Sequence, residues 1–211
     1  MRDHEHSRPP IDLAEAHRTQ GPWRIEVVEE TASTNADVAN RFRGGEPEGL
    51  VIVAEHQTAG RGRLGRDWVT PARSSLTVSF LLVPDQMPAR RWPWLPLLTG
   101  VAAATAVRRV TGIEVRLKWP NDVLAGRQKL GGILLERVEH AGSAAAVVGV
   151  GLNCSQSAEE LPVAEDAPYD RLILEAMETP VLPRLEGTKA LEGRAEPGPS
   201  TPPEPEPGSE N

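Results

Sequence analysis

Three arginines on a stretch punctuated by glycine are the most chemically suggestive feature of the sequence, at Gln57–Trp68, QTAGRGRLGRDW. Gly60, Gly62 and Gly65 let backbone N–H groups approach an anion closely. Arg61, Arg63 and Arg66 add forked guanidinium donors that match phosphate or carboxylate. The chemistry is capture of a multiply charged anion. A solvated basic loop, or an RG-type nucleic-acid segment, has the same composition, so GRGRLGR alone does not decide between them.

A second stretch, Lys118–Glu136, reads KWPNDVLAGRQKLGGILLE. Pro120 sets a turn after a strand and presents Asn121 and Asp122 at its tip, with Lys118 behind. Asp122 beside arginines could hold Mg²⁺ on a nucleotide. Lys129 opens the next strand, from which an ammonium reaches a carboxylate or phosphate. A plain hairpin with a surface lysine accounts for either half taken alone. His56, next to Gln57, is not assigned a role, because anion capture needs no base.

The elements that must position these groups are set by periodicity. Trp23–Glu29 alternates as a strand, and Ser33 caps a helix. Leu50–Glu55 is a short apolar strand, and Gly60, Gly62 and Gly65 break the next stretch into a loop. Ser75–Val83 reads as a buried strand and Trp94–Arg109 as an amphipathic to fully buried helix ended by Gly112. Strands resume at Val115–Lys118, Lys129–Val138 and Ala144–Gly149. Strands outnumber helices and lie close together in sequence, which predicts an α+β fold: a mixed, largely antiparallel sheet flanked by helices.

The 211 residues suit one domain with tails. Residues 1–22 read as a flexible lead-in, 23–163 as the folded domain and 164–211 as an atypical tail. Arg171–Met177 allows a helical turn or two. From Pro180 onward there are eight prolines, and disorder is expected from about Glu186. Thirteen acidic against four basic side chains lie beyond Cys154, which leaves residues 1–154 at +2. So weak a positive balance argues against a DNA- or RNA-binding footprint. One cysteine, Cys154, excludes an internal disulfide. No apolar run reaches the roughly 20 residues of a membrane span, and the charged start is unlike a signal peptide, so a cytoplasmic location is expected.

Ser33-Thr34-Asn35, the GRGRLGR loop, KWPND, KLGGIL and VGVGLN (Val148–Asn153) occur in the order and approximate spacing of biotin protein ligases, and from about residue 23 to 163 the chain resembles that family. The lipoate-attaching enzymes share the fold, but the arginine loop and KWPND point to the biotin branch. The resemblance implies activation of biotin by ATP and Mg²⁺ to biotinyl-5'-AMP. Biotin then passes to a lysine of a biotin carboxyl carrier protein domain. It implies biotin contacts from Ser33, Thr34, Asn35, Gln57, Gly60, Arg61, Gly62, Arg63 and Lys129, with Lys129 and Arg63 catalytic. Nucleotide contacts fall on Arg63, Arg66, Trp68, Asn121, Asp122 and Asn153, with Asp122 near the metal.

Too few residues precede the first strand for the DNA-binding module of some family members, and the chain from Ala164 onward does not resemble the family's C-terminal barrel. The expectation is therefore a monomer or weak homodimer without DNA or membrane binding. Its alternatives are a biotin-binding protein with impaired transfer and a lipoate or octanoate transferase.

Overall fold

The computed structural model describes residues 8–156, apart from residues 13, 15, 17, 19 and 20, together with residue 160. The tail expected from residue 164, with its helical turn at Arg171–Met177, lies outside the described residues. Of the lead-in, Arg8 donates to the Ser155 carbonyl at 2.8 Å and to Glu160 at 2.6 Å. The Ile11 N–H donates to the Glu55 carboxylate at 2.6 Å.

The described chain runs β1 (Arg24–Thr31), α1 (Thr34–Arg43), β2 (Leu50–Gln57), β3 (Gly60–Arg61), β4 (Asp67–Trp68), β5 (Ser75–Leu82), α2 (Leu95–Thr111), β6 (Val115–Lys118), β7 (Asp122–Ala125), β8 (Gln128–His140) and β9 (Ser143–Asn153). Short 3-10 turns occupy Arg63–Gly65 and Ala89–Trp94. Seven strands form one sheet in the order β1-β2-β5-β9-β8-β7-β6, and β3 and β4 form a separate pair. Only β1 and β2, bridged by α1, pair in parallel; the other neighbours are antiparallel. This is the mixed α+β sheet predicted from the element order.

Local chemistry explains the arrangement. The run LVIVAEHQ of β2 is apolar without strict alternation, as suits a strand covered on both faces. β8 and β9 form a long hairpin, and Ala141 and Gly142 both take positive φ (49° and 82°) at its turn, as a tight hairpin demands. Gly112 ends α2 with φ 73°, the left-handed cap expected of it.

One face of the sheet packs on α1, whose Val38, Ala39 and Phe42 join Leu50, Ile52, Leu81, Ala145 and Val147. The other face meets Leu95 and Val107 of α2 over Val123, Leu130, Ile133, Val148 and Val150. Burying side chains of this size stabilises the fold by about 1.5–3 kcal/mol each.

Three expectations need correction. Of the range expected for α2, amphipathic to fully buried, the amphipathic form holds and the fully buried one does not: Leu98, Val101 and Val110 are 58%, 55% and 69% exposed, because only the Leu95, Gly100 and Val107 side meets the sheet. The segment after Gln57 is not merely a loop. It folds back as the β3–β4 pair, because Gly60 has no Cβ to meet the Trp68 carbonyl oxygen, which lies 2.4 Å from where that atom would stand. Asp122–Ala125, not anticipated as a strand, is β7; its four residues are too short for alternation to show, and its pairing with β6 and β8 holds it.

Candidate functional site

The parallel β1–α1–β2 unit places the start of α1 beside the end of β2, and so brings Thr34 to Gln57 across 23 residues. The Gln57 Oε1 accepts the Thr34 N–H at 2.8 Å and lies 3.0 Å from the Thr34 hydroxyl. Ser33 is the N-cap residue of α1, but its side chain makes no capping bond; its carbonyl accepts the Asp37 N–H at 3.0 Å, the first backbone bond of the helix. The Ser33 hydroxyl is thereby left to the cavity that it lines. Ser33, Thr34, Asn35 and Gln57 are all buried, an unusual concentration of polar groups inside a small domain.

Behind Thr34 lies a residue that sequence reasoning missed. Ser79 of β5 is fully buried, with its hydroxyl 2.7 Å from Thr34 Oγ1 and 2.6 Å from Asn35 Oδ1. Asn35 Nδ2 in turn donates to a carboxylate oxygen of Glu136 at 2.8 Å and points toward the Leu134 carbonyl at 3.4 Å. Both of those are acceptors, so the amide orientation is fixed. Asn35 Oδ1 therefore faces Ser79, whose single proton goes to it. The Thr34 hydroxyl has one proton for two oxygens, Gln57 Oε1 at 3.0 Å and Ser79 at 2.7 Å, and keeps a lone pair for a ligand. The Gln57 amide NH₂ likewise remains a donor. Ser75, Thr77 and Ser79 are polar positions on one face of an apolar strand, and Glu136 ends the KLGGILLE run, but neither pattern says what these side chains meet.

The same cavity is lined by cations. Lys129 Nζ sits 3.0 Å from an Asp122 oxygen, bridging the starts of β8 and β7. The β6–β7 turn, Trp119-Pro120-Asn121, has the predicted position and orients Asn121. Arg63 donates to the Asn121 side-chain oxygen at 3.1 Å, and the Asn121 N–H₂ donates to the Ile133 carbonyl at 3.3 Å. Arg61 donates to Glu136 at 3.3 Å. The base of the arginine loop is tied to Thr31, the last residue of β1, and to Ala32 after it, whose carbonyls accept the Thr58 and Ala59 N–H groups, both at 2.9 Å.

Glycines of the VGVGLN motif make room. A Cβ on Gly149 would stand 2.4 Å from Asn35 Oδ1, and one on Gly151 would stand 2.6 Å from the Trp68 ring. The Trp68 indole N–H is buried without a partner among the described residues, a donor held ready at the cavity wall.

The enclosed space is about 340 Å³, floored by Val78, Val150 and Ile133 and lined by Ser33, Thr34, Asn35, Gln57, Arg61, Gly62, Arg63, Arg66, Trp68, Asn121, Asp122 and Lys129. Gly60 lies outside this lining. Asn153 does too, its amide donating to the Lys129 carbonyl at 3.4 Å. A wider groove of about 920 Å³ shares the loop and runs past Glu136 to Trp92 and Pro96. No cluster of three or more potential metal-ligating side chains occurs among the described residues. Asp122 alone suits a cation that arrives largely ligated by phosphates rather than one held in a protein cage.

Residues 27–153, more than half of the chain, match the biotin/lipoate A/B protein ligase family. A biotin--[acetyl-CoA-carboxylase] ligase of Mycobacterium tuberculosis is 42% identical over 171 residues, 76% of this chain and 62% of that protein. The bifunctional ligase/repressor BirA of Bacillus subtilis is 36% identical over 138 residues, 65% of this chain and 41% of that protein. The chain therefore spans about half the length of these curated relatives. Among solved structures, the Aquifex aeolicus biotin protein ligase in complex with biotin and ATP superposes with a TM-score of 0.55 at 32% identity, covering 68% of this chain and 56% of that one. The Leishmania major biotin protein ligase in complex with biotinyl-5-AMP gives 0.56 at 27% identity, covering 72% and 65%. With its five motifs gathered around one cavity, the chain belongs to the biotin/lipoate A/B protein ligase family.

Proposed function

We propose that the protein activates biotin with ATP to biotinyl-5'-AMP and transfers the biotinyl group to a lysine of a biotin carboxyl carrier protein domain. The observation that carries this reading is the make-up of one cavity: the buried, uncharged hydrogen-bonding groups of Ser33, Thr34 and Gln57 line it together with the cations Lys129, Arg63 and Arg66. A ureido ring, with two N–H donors and a carbonyl, would satisfy Thr34, Ser33 and Gln57. The apolar chain of lipoate or octanoate would leave these buried groups unpaired, at a cost of about 1–3 kcal/mol each. That difference favours biotin over the other acids handled by the family.

Biotin's carboxylate, like other aliphatic acids with a pKa of about 4–5, is ionised at neutral pH, so no base is required to activate it. The obstacle is repulsion between two anions. Lys129 and Arg63 would offset that charge and hold the carboxylate oxygen in line with the α-phosphorus. Mg²⁺ would enter with the nucleotide, with Asp122 as its nearest carboxylate, and would neutralise phosphate charge. The carboxylate oxygen bonds to the α-phosphorus as pyrophosphate departs. The arginine loop then shields the mixed anhydride from water. A deprotonated carrier lysine attacks the acyl carbon, and AMP leaves.

Incubation with biotin, MgATP and a carrier domain, with mass spectrometry as the readout, tests the reading. The expected product is a carrier heavier by one biotinyl group, with AMP and pyrophosphate released. Thermal protection by lipoate or octanoate, and none by biotin, would instead select the other branch.

A further inference from the structure

Glu136 lines the outer groove rather than the cavity, yet its carboxylate reaches both halves of the site. The same oxygen accepts from Asn35 at 2.8 Å and from Arg61 at 3.3 Å. Asn35 is 4% exposed and bound to Ser79, which touches Thr34; Arg61 opens the arginine loop. A continuous chain thus runs Arg61, Glu136, Asn35, Ser79, Thr34, Gln57 from the anion loop to the uncharged groups of the cavity. No other acidic side chain is bonded to Arg61 among the described residues. Gly149 completes the arrangement, since any side chain there would collide with the Asn35 amide and break the chain at its centre.

We propose that Glu136 is a positioning residue that couples occupancy of the biotin pocket to closure of the arginine loop; this rests on the reading that biotin binds there. A ligand that fixes Thr34 and Gln57 also fixes Ser79 and Asn35, because each hydroxyl has one proton and the Asn35 amide has one allowed orientation. With Asn35 held, Glu136 is held, and the guanidinium of Arg61 has a preset partner instead of a swinging one. Coupling between two sites is reciprocal, so a loop bound to an anion also tightens the hold on biotin. Glu136 touches neither substrate in this scheme.

The test compares the parent protein with Glu136→Gln, Glu136→Ala and Arg61→Gln. Biotin affinity is read by calorimetry, and hydrogen exchange at residues 60–68 is read with and without biotin. Glu136→Gln keeps an acceptor for Asn35 and loses the charge that Arg61 meets. It should weaken biotin binding about fivefold, and Glu136→Ala, which loses both partners, should weaken it more. Biotin should slow exchange of the loop in the parent and leave it unchanged in Glu136→Gln.

Arg61→Gln breaks the same bridge from its exposed side, so loss of fold in the Glu136 variants would not obscure the result. Combining it with Glu136→Gln should weaken binding no further than the worse single change. Equal slowing of loop exchange by biotin in parent and variants, or effects that multiply in the double variant, would overturn the coupling while leaving the biotin reading intact. A parent that binds no biotin would overturn that reading and the coupling with it.

Discussion

Lys129 and Asp122 face each other at 3.0 Å at the starts of adjacent strands, so the ammonium is held where an incoming carboxylate and phosphate would meet. Replacing it by an uncharged side chain of similar length removes the charge and little else. Lys129→Gln should leave the thermal midpoint nearly unchanged and slow biotinyl-AMP formation by about a hundredfold or more. Near-normal adenylate synthesis by the folded variant would remove Lys129 from the chemistry. Gly151 bears, through Trp68, on the proposed site of the other substrate, ATP. A methyl there would press on the Trp68 ring from 2.6 Å, so Gly151→Ala should raise the KM for ATP several-fold while biotin affinity changes little. A larger effect on biotin than on ATP would place Trp68 elsewhere in the site. The cations and the turn Asn-Asp pair were readable from residue type and spacing. Ser79 and Glu136 were not, because their roles depend on Asn35, which lies 44 and 101 residues away in sequence and meets them only once the sheet has formed.

Among the elements, the arginine loop shows how glycine spacing determines shape. Gly60 permits the Trp68 carbonyl to come within pairing distance, the Gly62 N–H donates to the Arg66 carbonyl at 2.7 Å, and Leu64 and Gly65 turn the chain with positive φ. Gly60→Ala should therefore open the β3–β4 pair. The expected result is faster hydrogen exchange across Gly60–Trp68 with the exchange of β5 and β9 unaltered. A uniform rise across the sheet would mean that the loop is part of the core. α2 offers an energetic control away from the site: Gly112 caps it at φ 73°, so Gly112→Ala should cost about 1 kcal/mol in denaturant unfolding and leave biotin binding untouched. Helix ends, the paired long strands and the sheet class were legible in periodicity and capping. The exposed apolar side of α2 and the short β7 were not, since an apolar run alone does not say which of its faces meets the sheet.

At the scale of the whole molecule, charge is segregated from chemistry. Every residue lining the cavity lies between Ser33 and Gly151, whereas residues 155–211 hold thirteen acidic and four basic side chains. The last 25 residues, from Gly187, carry five acidic and two basic side chains, a net of -3. The groups proposed to capture the anion, Lys129 and the arginines, all precede this segment, so a chain ending at Glu186 should form biotinyl-AMP at the parent rate. Transfer is a different matter, because the proposed partner is a second protein whose approach feels the field of the first. Against an acidic carrier domain, removing a net negative charge should raise the transfer rate slightly at low salt. The gain should vanish near 0.15 M salt, where the screening length is about 8 Å. Single-turnover transfer from preformed biotinyl-AMP, at low and physiological salt and with both chain lengths, makes the measurement. Slower adenylate formation in the shortened chain would show that residues 187–211 contribute to the site, and slower transfer at both salts would show that they help to receive the carrier.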